Sequence, residues 1–345
     1  MPTSKPSDQL ELLQDVSIDK SITSHFPVGS RVVATKRHGA SDWTLPVRVD
    51  LKLEDGTTWL YFLKLAATDT DMSMLRGEFE SMSALYSLSS DFVVRPIAWG
   101  ACASAPDTYF YLSDFHELSE DSPNVETFCA RIAELHVKST VKRRSEPSHD
   151  ISGRRFGFHV TTHLGMLPQD TRWCATWENY YIQDLKRILA FEERTQGPLD
   201  DLDALATQLI EKVIPRLLRP LETGGREVAP TLIHGDLQVR NARTDLATGL
   251  PIIFDAGSFW GHNECDLGKW KIPRFRMGTK YIEEYHKHVP KSPPEEDWED
   301  RNLLYSIRYN LLTSAHYPSE KSMRRWALDD MRQLVEKYPK GYDNQ

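Results

Sequence analysis

The stretch of sequence that decides the fold is T-L-I-H-G-D-L-Q-V-R-N at residues 231–241, together with I-I-F-D at residues 252–255. An apolar run leads into His-Gly-Asp, an asparagine follows Asp236 by five positions, and a second apolar run ends on Asp255. Short apolar runs bounded by turn residues are typical of buried strands. We therefore predict a strand-turn-strand unit that presents two carboxylates and one side-chain amide.

The spacing of these residues resembles the catalytic pattern of protein kinases, H-R-D-x-x-x-x-N followed by D-F-G, with Gly235 at the arginine position as in kinases of small molecules. Phosphoryl transfer needs a carboxylate that orients the attacking hydroxyl, and oxygen ligands that hold Mg²⁺ on the phosphates of ATP. We expect Asp236 to be the catalytic residue, and Asn241 and Asp255 to bind Mg²⁺. The alternative is a hairpin that contains these acids and the asparagine by chance.

A lysine and a glutamate earlier in the chain fit the nucleotide-binding part of such a site. Lys64 lies in the apolar run Y-F-L-K-L, and Glu78 lies in the next predicted helix, within L-R-G-E-F-E. A lysine among apolar neighbours requires a charge partner. We expect Lys64 to bind the α- and β-phosphates and Glu78 to hold Lys64. Glu80 is the alternative partner, but the spacing of the apolar positions favours Glu78. A lysine and a glutamate that both face solvent is the other interpretation.

Two further segments are candidates for contact with the nucleotide. Residues 36–42 (K-R-H-G-A-S-D) lie between the first two predicted strands. They contain Gly39 and Ser41, whose backbone amides and small hydroxyl suit a loop that covers phosphates. The segment is not G-x-G-x-x-G, and an ordinary loop fits it equally well. The connector after the fifth predicted strand should meet the adenine through backbone groups of Ser113, Asp114 and Phe115.

The order of the predicted elements indicates two lobes. Strands are predicted at 31–35, 46–53, 58–65, 93–99 and 109–112, with a helix at 72–88; helices are predicted at 125–138, 177–191, 202–218 and within 299–337. We therefore predict an α+β, bilobal, protein-kinase-like fold, with a β-rich N-lobe that carries one key helix and a mainly α-helical C-lobe. The predicted boundaries are a partly disordered N-terminal extension at 1–24, with a short helix at 9–18, the N-lobe at 25–113 and the C-lobe at 114–345.

Composition excludes several classes of function. The 345 residues carry a formal net charge of −8, which argues against bulk binding of nucleic acid. The four cysteines form no C-x-x-C motif, which predicts reduced thiols rather than a disulfide framework or a zinc site. We see no apolar run long enough to span a bilayer and no signal peptide. We therefore expect a cytoplasmic protein, a monomer or weak dimer, without nucleic-acid or membrane partners.

Longer motifs then point to a particular family. They are F-L-K-L around Lys64, R-G-E-F-E-S-M-S-A-L around Glu78, F-G-F-H-V-T-T at 156–162, L-P-Q at 167–169 and I-I-F-D-A-G-S-F-W-G-H-N-E-C-D-L at 252–267. Together they resemble the fructosamine-3-kinase family, also called ketosamine or protein-ribulosamine kinases, within the aminoglycoside-phosphotransferase-like group. The resemblance spans most of the chain, and the motif at 156–169 is distinctive for this family among kinases.

The resemblance implies phosphorylation of the sugar 3-hydroxyl of a ketosamine, on protein lysines or on small amines, with ATP and Mg²⁺ as cofactors. The phosphorylated adduct then becomes unstable and leaves, which repairs glycation. The resemblance also implies that Asp266 braces the catalytic-loop backbone, with His234 as a structural hydrogen-bonding residue. His262 and Glu264 are implied to belong to the acceptor pocket; polar residues of an ordinary turn are the alternative for these two.

The chain departs from the family pattern beside the catalytic aspartate. Gln238 stands where the family has a tryptophan, and Val239 and Arg240 replace smaller residues. An indole offers a flat apolar face to a sugar, whereas Gln238 offers an amide and Arg240 adds a charge. We therefore expect Gln238 and Arg240 to line a pocket for a more polar or anionic acceptor. The alternative is that Gln238 faces away and the acceptor is an ordinary ketosamine.

Two other functions remain open at this level. One is phosphorylation of another small hydroxyl compound, such as an amino sugar, on the same scaffold. The other is a pseudokinase that binds a nucleotide or a partner protein without catalysis. The complete set of Lys64, Glu78, Asp236, Asn241 and Asp255 argues against a pseudokinase, since such a protein is expected to have lost at least one of them.

Overall fold

Five antiparallel strands form the sheet of the N-terminal lobe, in the order β1-β2-β3-β5-β4. The computed structural model describes residues 18–67, 69–105, 107–145 and 155–342. The strands are β1 (Arg31–Arg37), β2 (Leu45–Lys52), β3 (Thr58–Ala66), β4 (Pro96–Ala101) and β5 (Tyr109–Asp114). These agree with the predicted strands, except that β4 begins later. Val93 instead forms a parallel bridge with Ile253, a residue of the C-terminal lobe.

The first described helix packs against the sheet. Helix α1 (Lys20–Thr23) places Ile22 in a buried cluster with Val49, Leu51 and Leu112. Asp19 caps the helix and also accepts hydrogen bonds from the backbone amides of residues 103 and 104, at 3.0 and 2.7 Å. Residues 18–24 therefore pack as part of the N-lobe and not as an extension. The predictions for residues 1–17, disorder and the start of a short helix, fall outside the described residues.

Helix α2 (Asp69–Tyr86) packs on the sheet and is fastened to the C-lobe. At Gly77 the helix backbone passes so close to residues 161 and 162 that a Cβ atom would lie 2.6 Å from the Thr161 carbonyl oxygen. One turn later, the Ser81 hydroxyl accepts a hydrogen bond of 3.0 Å from the Ser258 amide and donates to the Gly77 carbonyl at 2.7 Å. The key helix is thus bonded to the segment that follows Asp255.

The C-lobe is built from helices around short strand pairs. Its helices are α3 (Val125–Ser145), α4 (Trp177–Gln196), α5 (Asp200–Gln208), α6 (Ile214–Leu218), α7 (Glu264–Leu267), α8 (Thr279–His286), α9 (Trp298–His316) and α10 (Lys321–Lys337). Its strands are β6 (His163–Leu164), β7 (Leu167–Pro168), β8 (Thr231–Ile233), β9 (Ala242–Thr244), β10 (Pro251–Ile253) and β11 (Phe259–Gly261). Antiparallel pairs join β6 with β7, β8 with β11 and β9 with β10. One continuous apolar core connects these elements and reaches α2 through Leu75, Met82 and Leu85.

The helix predicted at 202–218 is interrupted. Between α5 and α6 the chain forms a π-helical turn at Leu209–Val213, and a 3₁₀ turn follows at Arg219–Glu222. Pro215 stands in the first turn of α6, where its missing N–H costs little. A π turn inserts one extra residue into a helix, and this one lies directly before the turn that contains Pro215. The spacing of the apolar residues at 202–218 did not predict the π turn or the 3₁₀ turn.

None of the helices in the described ranges combines the length and the apolar character needed to cross a membrane.

Candidate active site

The loop between β8 and β9 carries the predicted catalytic residues, and hydrogen bonds to the side chain of Asp266 hold its backbone. The two oxygens of this fully buried carboxylate accept hydrogen bonds from the His234 amide (2.7 Å) and the Gly235 amide (2.8 Å). Gly235 adopts a φ of +80°, and a Cβ atom there would overlap the Gly257 carbonyl oxygen. Only glycine combines this left-handed backbone with so close an approach. The loop conformation is therefore fixed before any ligand binds.

Both ring nitrogens of His234 are used inside this structure. Nε2 donates to the Phe254 carbonyl at 3.0 Å, and Nδ1 accepts from the Asp236 amide at 3.2 Å. Burial lowers the pKa of His234, which keeps the ring neutral. His234 thus ties the catalytic loop to the end of β10, the supporting position predicted for it.

Asp236 and Asn241 lie in direct contact. A 3₁₀ turn at Val239–Asn241 folds the chain back, so that Asn241 Nδ2 donates to Asp236 Oδ2 at 2.7 Å and to the Asp236 carbonyl at 3.0 Å. The same amide nitrogen reaches the Asp255 carbonyl at 3.4 Å. Because the nitrogen is used in this way, Oδ1 is the Asn241 atom that can ligate a cation.

Lys64 lies between two carboxylates. Its ammonium nitrogen is 2.8 Å from both oxygens of Glu78 and 2.6 Å from Asp255 Oδ1. Burial would lower the pKa of Lys64, but the charges of Asp255 and Glu78 raise it above its usual value. Glu80, the alternative partner, instead contacts His159 at 3.0 Å. The structure thus brings Lys64 together with Glu78, the partner predicted for it.

Asp255 combines an unusual backbone with an accessible side chain. Its φ is +62°, a left-handed value that is costly for a residue with a Cβ atom and that is common at functional sites. The side chain is 47% exposed, and its pKa is lowered by the Lys64 ammonium against the effect of burial. The Lys64 ammonium already occupies one side of the Asp255 carboxylate. Asp255 and Asn241 Oδ1 are hard oxygen ligands, as Mg²⁺ requires.

Two oxygen ligands suit a magnesium ion that is shared with nucleotide phosphates. Among the described residues, no group of three or more His, Cys, Asp or Glu side chains is placed to hold a metal ion. Mg²⁺ in phosphotransferases is typically bound by one or two carboxylates together with phosphate oxygens and water.

The predicted phosphate loop forms a turn between β1 and β2. Gly39 has a φ of +80° with open space around it. The Ser41 hydroxyl accepts from the amides of Trp43 and Thr44, at 3.2 and 3.1 Å, so it stabilises its own turn. The Trp43 ring packs against His316 at the end of α9, with centroids 5.4 Å apart. The loop thus spans from the sheet to the C-lobe.

The connector prediction needs a correction. Strand β5 extends to Asp114, so Ser113 and Asp114 belong to the sheet. The Asp114 amide donates to the Arg95 carbonyl at 3.1 Å, and the Phe115 amide donates to the Leu60 carbonyl at 3.3 Å. These two N–H groups are not available to adenine, because the sheet has already bonded them. Beyond the strand, the Glu117 carbonyl accepts a hydrogen bond from the Leu246 amide at 2.9 Å, and Leu118 forms an antiparallel bridge with Asp245.

Of the four predicted acceptor-pocket residues, two lie at the site. Gln238 is half-buried, and its Nε2 donates to Asp236 Oδ2 at 3.3 Å, so it faces the catalytic carboxylate. Arg240 is exposed. Burial and the charges of Arg276 and Arg240 lower the pKa of the neighbouring Arg243, while the charges of Glu120 and Asp121 raise it. This side of the loop therefore carries charges of both signs.

The other two, His262 and Glu264, are buried in the C-lobe. His262 bonds to the Tyr305 and Ser292 hydroxyls, both at 2.8 Å, and burial lowers its pKa to about 4. Glu264 accepts from the Arg301 guanidinium at 3.0 Å and from the Ser292 amide at 2.7 Å. Their polar atoms are thus used within the protein. Direct contact with an acceptor does not fit this burial, and a structural role does.

Sequence reasoning missed Lys269. Its side chain is only 5% exposed, and its ammonium is paired with Asp236 Oδ1. The signal in the sequence was a lysine in D-L-G-K-W, between residues that are otherwise apolar or small. Nothing in that pattern showed which carboxylate it would reach.

Comparison with known proteins identifies the family of the chain. The family model for fructosamine kinase matches residues 48–335. Ketosamine-3-kinase from Mus musculus is 29% identical over 292 residues, which cover 79% of this chain and 87% of the mouse protein.

Solved structures show the same fold. A putative fructosamine-3-kinase from Haemophilus somnus 129PT superposes with a TM-score of 0.70 at 18% identity, covering 92% of this chain and 97% of that one. Aminoglycoside phosphotransferase APH(4)-Ia, in a ternary complex with AMP-PNP and hygromycin B, superposes with a TM-score of 0.60 at 13% identity, covering 93% and 98%. The predicted kinase-like fold is thus confirmed, and the family model carries the assignment further: the chain belongs to the fructosamine kinase family.

Proposed function

We propose that the protein transfers the γ-phosphoryl group of ATP to a sugar hydroxyl of a ketosamine, at the 3-position. The observation that carries this proposal is the connected set of side chains around the loop. Lys64 bonds Glu78 and Asp255, while Asn241 bonds Asp236 and the backbone of Asp255. This set would supply the groups that orient the acceptor, hold the phosphates and bind the metal ion in phosphoryl transfer.

Asp236 is the group that receives the acceptor hydroxyl. In the transfer, the acceptor O–H bond breaks and its proton passes to the Asp236 carboxylate. The acceptor oxygen forms a bond to the γ-phosphorus, and the bond from that phosphorus to the β,γ-bridging oxygen breaks, so ADP leaves with the electron pair. Lys64 would hold the α- and β-phosphates in place of its present contact with Asp255. Most of the catalysis is then positioning and charge stabilisation.

Mg²⁺ would be held by Asp255 and Asn241 Oδ1, and it would supply positive charge to the phosphate oxygens. Asp255→Ala should remove the effect of Mg²⁺ on ATP binding, as measured by calorimetric titration with and without the ion. Asp91→Ala is the matched control, because that exposed carboxylate pairs with Arg131 away from the site. A magnesium effect that survives in Asp255→Ala contradicts this assignment.

The nucleotide would lie between the sheet and the catalytic loop. Residues 36–42, with Gly39 and Ser41, would cover its phosphates, and the connector after β5 would meet the adenine.

The four cysteines are free in the structure, which supports a reducing compartment such as the cytoplasm. The monomer or weak dimer predicted from sequence stays a prediction.

The decisive experiment is an assay of ADP release against a panel of acceptors: ribulosamines, fructosamines, aminoglycosides and choline-like alcohols. Asp236→Asn is the inactive control, expected to lose turnover by orders of magnitude. Phosphorylation of ketosamines, with a product phosphorylated at the 3-position, is the expected result. Efficient turnover of another class with none on ketosamines contradicts the proposed acceptor.

A further inference from the structure

Lys269 is the buried charge closest to the chemistry, and the reaction as described above does not use it. The residue is 4% exposed and follows helix α7. At Gly268, directly before it, a Cβ atom would lie 2.6 Å from the Tyr305 Cβ atom, so the backbone is pressed against α9. The ammonium reaches Asp236 Oδ1 and lies 4.6 and 5.1 Å from the ring centres of Phe275 and Tyr309. Its position is thus closely defined.

The other cations near Lys269 have partners of their own. Arg308 donates to Asp184 at 2.6 Å, and Arg274 donates to the Asn310 side-chain oxygen at 2.8 Å. Burial, together with the charges of Arg308 and Arg274, lowers the pKa of Lys269. Within the part of the chain that the structure describes, Asp236 is the carboxylate that pairs with it. A buried ammonium in these surroundings depends on that one anion.

The partners of Asp236 leave a defined place for the acceptor. A carboxylate has about four lone-pair positions, two on each oxygen. Asn241 and Gln238 both donate to Oδ2, at 2.7 and 3.3 Å. Lys269 takes one position on Oδ1, and one remains. The acceptor hydroxyl would therefore bond to Oδ1, beside the Lys269 ammonium.

We propose that Lys269 is a positioning residue that acts through Asp236: it fixes the carboxylate so that Oδ1 faces the acceptor hydroxyl. This inference rests on the proposed role of Asp236 but not on the identity of the acceptor. It predicts one effect on the rate of catalysis and one effect on stability. The rate of phosphoryl transfer should depend on Lys269 much more than ATP affinity does. The stability of the protein should depend on Asp236, because Lys269 is left unpaired without it.

The kinetic test compares Lys269→Met with Lys271→Met, an exposed lysine two positions later. Phosphoryl transfer is followed to the best acceptor of the wild type, or to water as slow ATP hydrolysis. Lys269→Met should lower kcat about 100-fold with a change of less than about threefold in the KM for ATP, and the control should match wild type. In an Asp236→Asn background, Lys269→Met should cause no further loss, because one group acts through the other. Additive losses, or a kcat within about threefold of wild type, overturn the proposal.

A rescue experiment separates charge from packing. Lys269→Ala leaves space for the missing three carbons and ammonium, which propylammonium matches. Added propylammonium should restore part of kcat, and 1-propanol of similar size should not. Equal effects of the two compounds overturn a role for the charge.

The melting temperature supplies a readout without any acceptor. Asp236→Asn should lower Tm by several degrees, and Lys269→Met added to it should raise Tm again. Should Lys269→Met fail to fold by itself, the Asp236→Asn melt decides, and an unchanged Tm overturns the pairing. Since this arm needs no turnover, a protein that phosphorylates no ketosamine would refute the proposed function and leave the Lys269 result standing.

Discussion

Lys64 forms ion pairs with a carboxylate of each lobe. It is bonded to Glu78 of the N-lobe helix and to Asp255 of the C-lobe. Removal of Lys64 leaves two carboxylates without a cation in a site that is partly closed to water, and removal of either carboxylate takes away one of the two groups that position Lys64. The effects of single substitutions should therefore overlap.

A double-mutant cycle tests this overlap. Lys64→Met should weaken ATP binding or turnover strongly, and Glu78→Gln should do so less. The double variant should lose little more than Lys64→Met alone, because Glu78 acts through Lys64. Turnover and ATP affinity are the measurements. Glu80→Gln is the matched control on the same helix and should behave as wild type; strictly additive losses from the first pair would contradict the coupling.

Gln238 is the residue expected to set the acceptor. Its amide donates to Asp236, so a side chain at this position lies beside the acceptor hydroxyl. Gln238→Trp should raise kcat/KM on simple ribulosamines and fructosamines, since an indole buries a flat apolar face worth roughly 1–3 kcal/mol. It should lower kcat/KM on a more polar or anionic acceptor. If wild type already uses ribulosamines efficiently and the variant does no better, position 238 does not set specificity.

At the scale of elements, the contact of α2 with the C-lobe is the most sensitive to a small change. Gly77→Ala adds a methyl group 2.6 Å from the Thr161 carbonyl oxygen. Alanine favours a helix over glycine by about 1 kcal/mol, but the overlap works against that gain and typically costs about 1–3 kcal/mol. We expect a lower Tm and lower turnover, because the helix must shift together with Glu78.

Ser83→Ala, half-buried on the same helix, is the control for helix propensity and should keep or raise Tm. Thermal melting and the assay of ADP release measure both effects. A Gly77→Ala protein that is more stable and fully active would show that the two elements separate easily.

The elements that sequence predicted are those with a regular apolar period. The strands of the N-lobe and helices α2, α3, α4, α9 and α10 have one. Lys64 and Glu78 were predicted from the order of these elements, and Asp236 was predicted from the spacing of the His-Gly-Asp motif. Strands β6 and β7 span two residues each, too few for a period to appear. The pairing of Lys269 with Asp236 depends on how the chain after α7 packs on α9, which no local pattern records. His262 and Glu264 were assigned to the acceptor pocket only because they belong to the family motif at 252–267. A sequence motif does not show whether a side chain is buried.

At the scale of the whole molecule, buried neutral histidines should limit stability in acid. The pKa of His262 is about 4 in the folded chain and about 6.5 when unfolded, so the unfolded state binds the proton first. Stability is therefore lost as the pH falls from about 6.5 toward 4. For His262 this amounts to about 2 kcal/mol of unfolding free energy between pH 7 and pH 5.

His262→Gln should reduce the dependence of unfolding free energy on pH by about that amount. Denaturant unfolding at pH 7 and pH 5 measures it, and His25→Gln, at an exposed position, is the control. His163, whose pKa burial also lowers to about 4, should keep part of the dependence in place. An identical pH dependence in wild type and His262→Gln would mean that folding does not lower the pKa of His262.

The fastening of α2 to the C-lobe has a consequence for regulation. Gly77 and Ser81 bind the helix to the residues around Thr161 and Ser258, and Ser258 follows Asp255 by three positions. A helix held in this way cannot swing outward without disturbing the loop that carries Asp255. We therefore expect the pair of Lys64 and Glu78 to form without a separate activating event. We expect an enzyme that is switched on as soon as it folds, and whose output a cell sets through synthesis, turnover and supply of substrate.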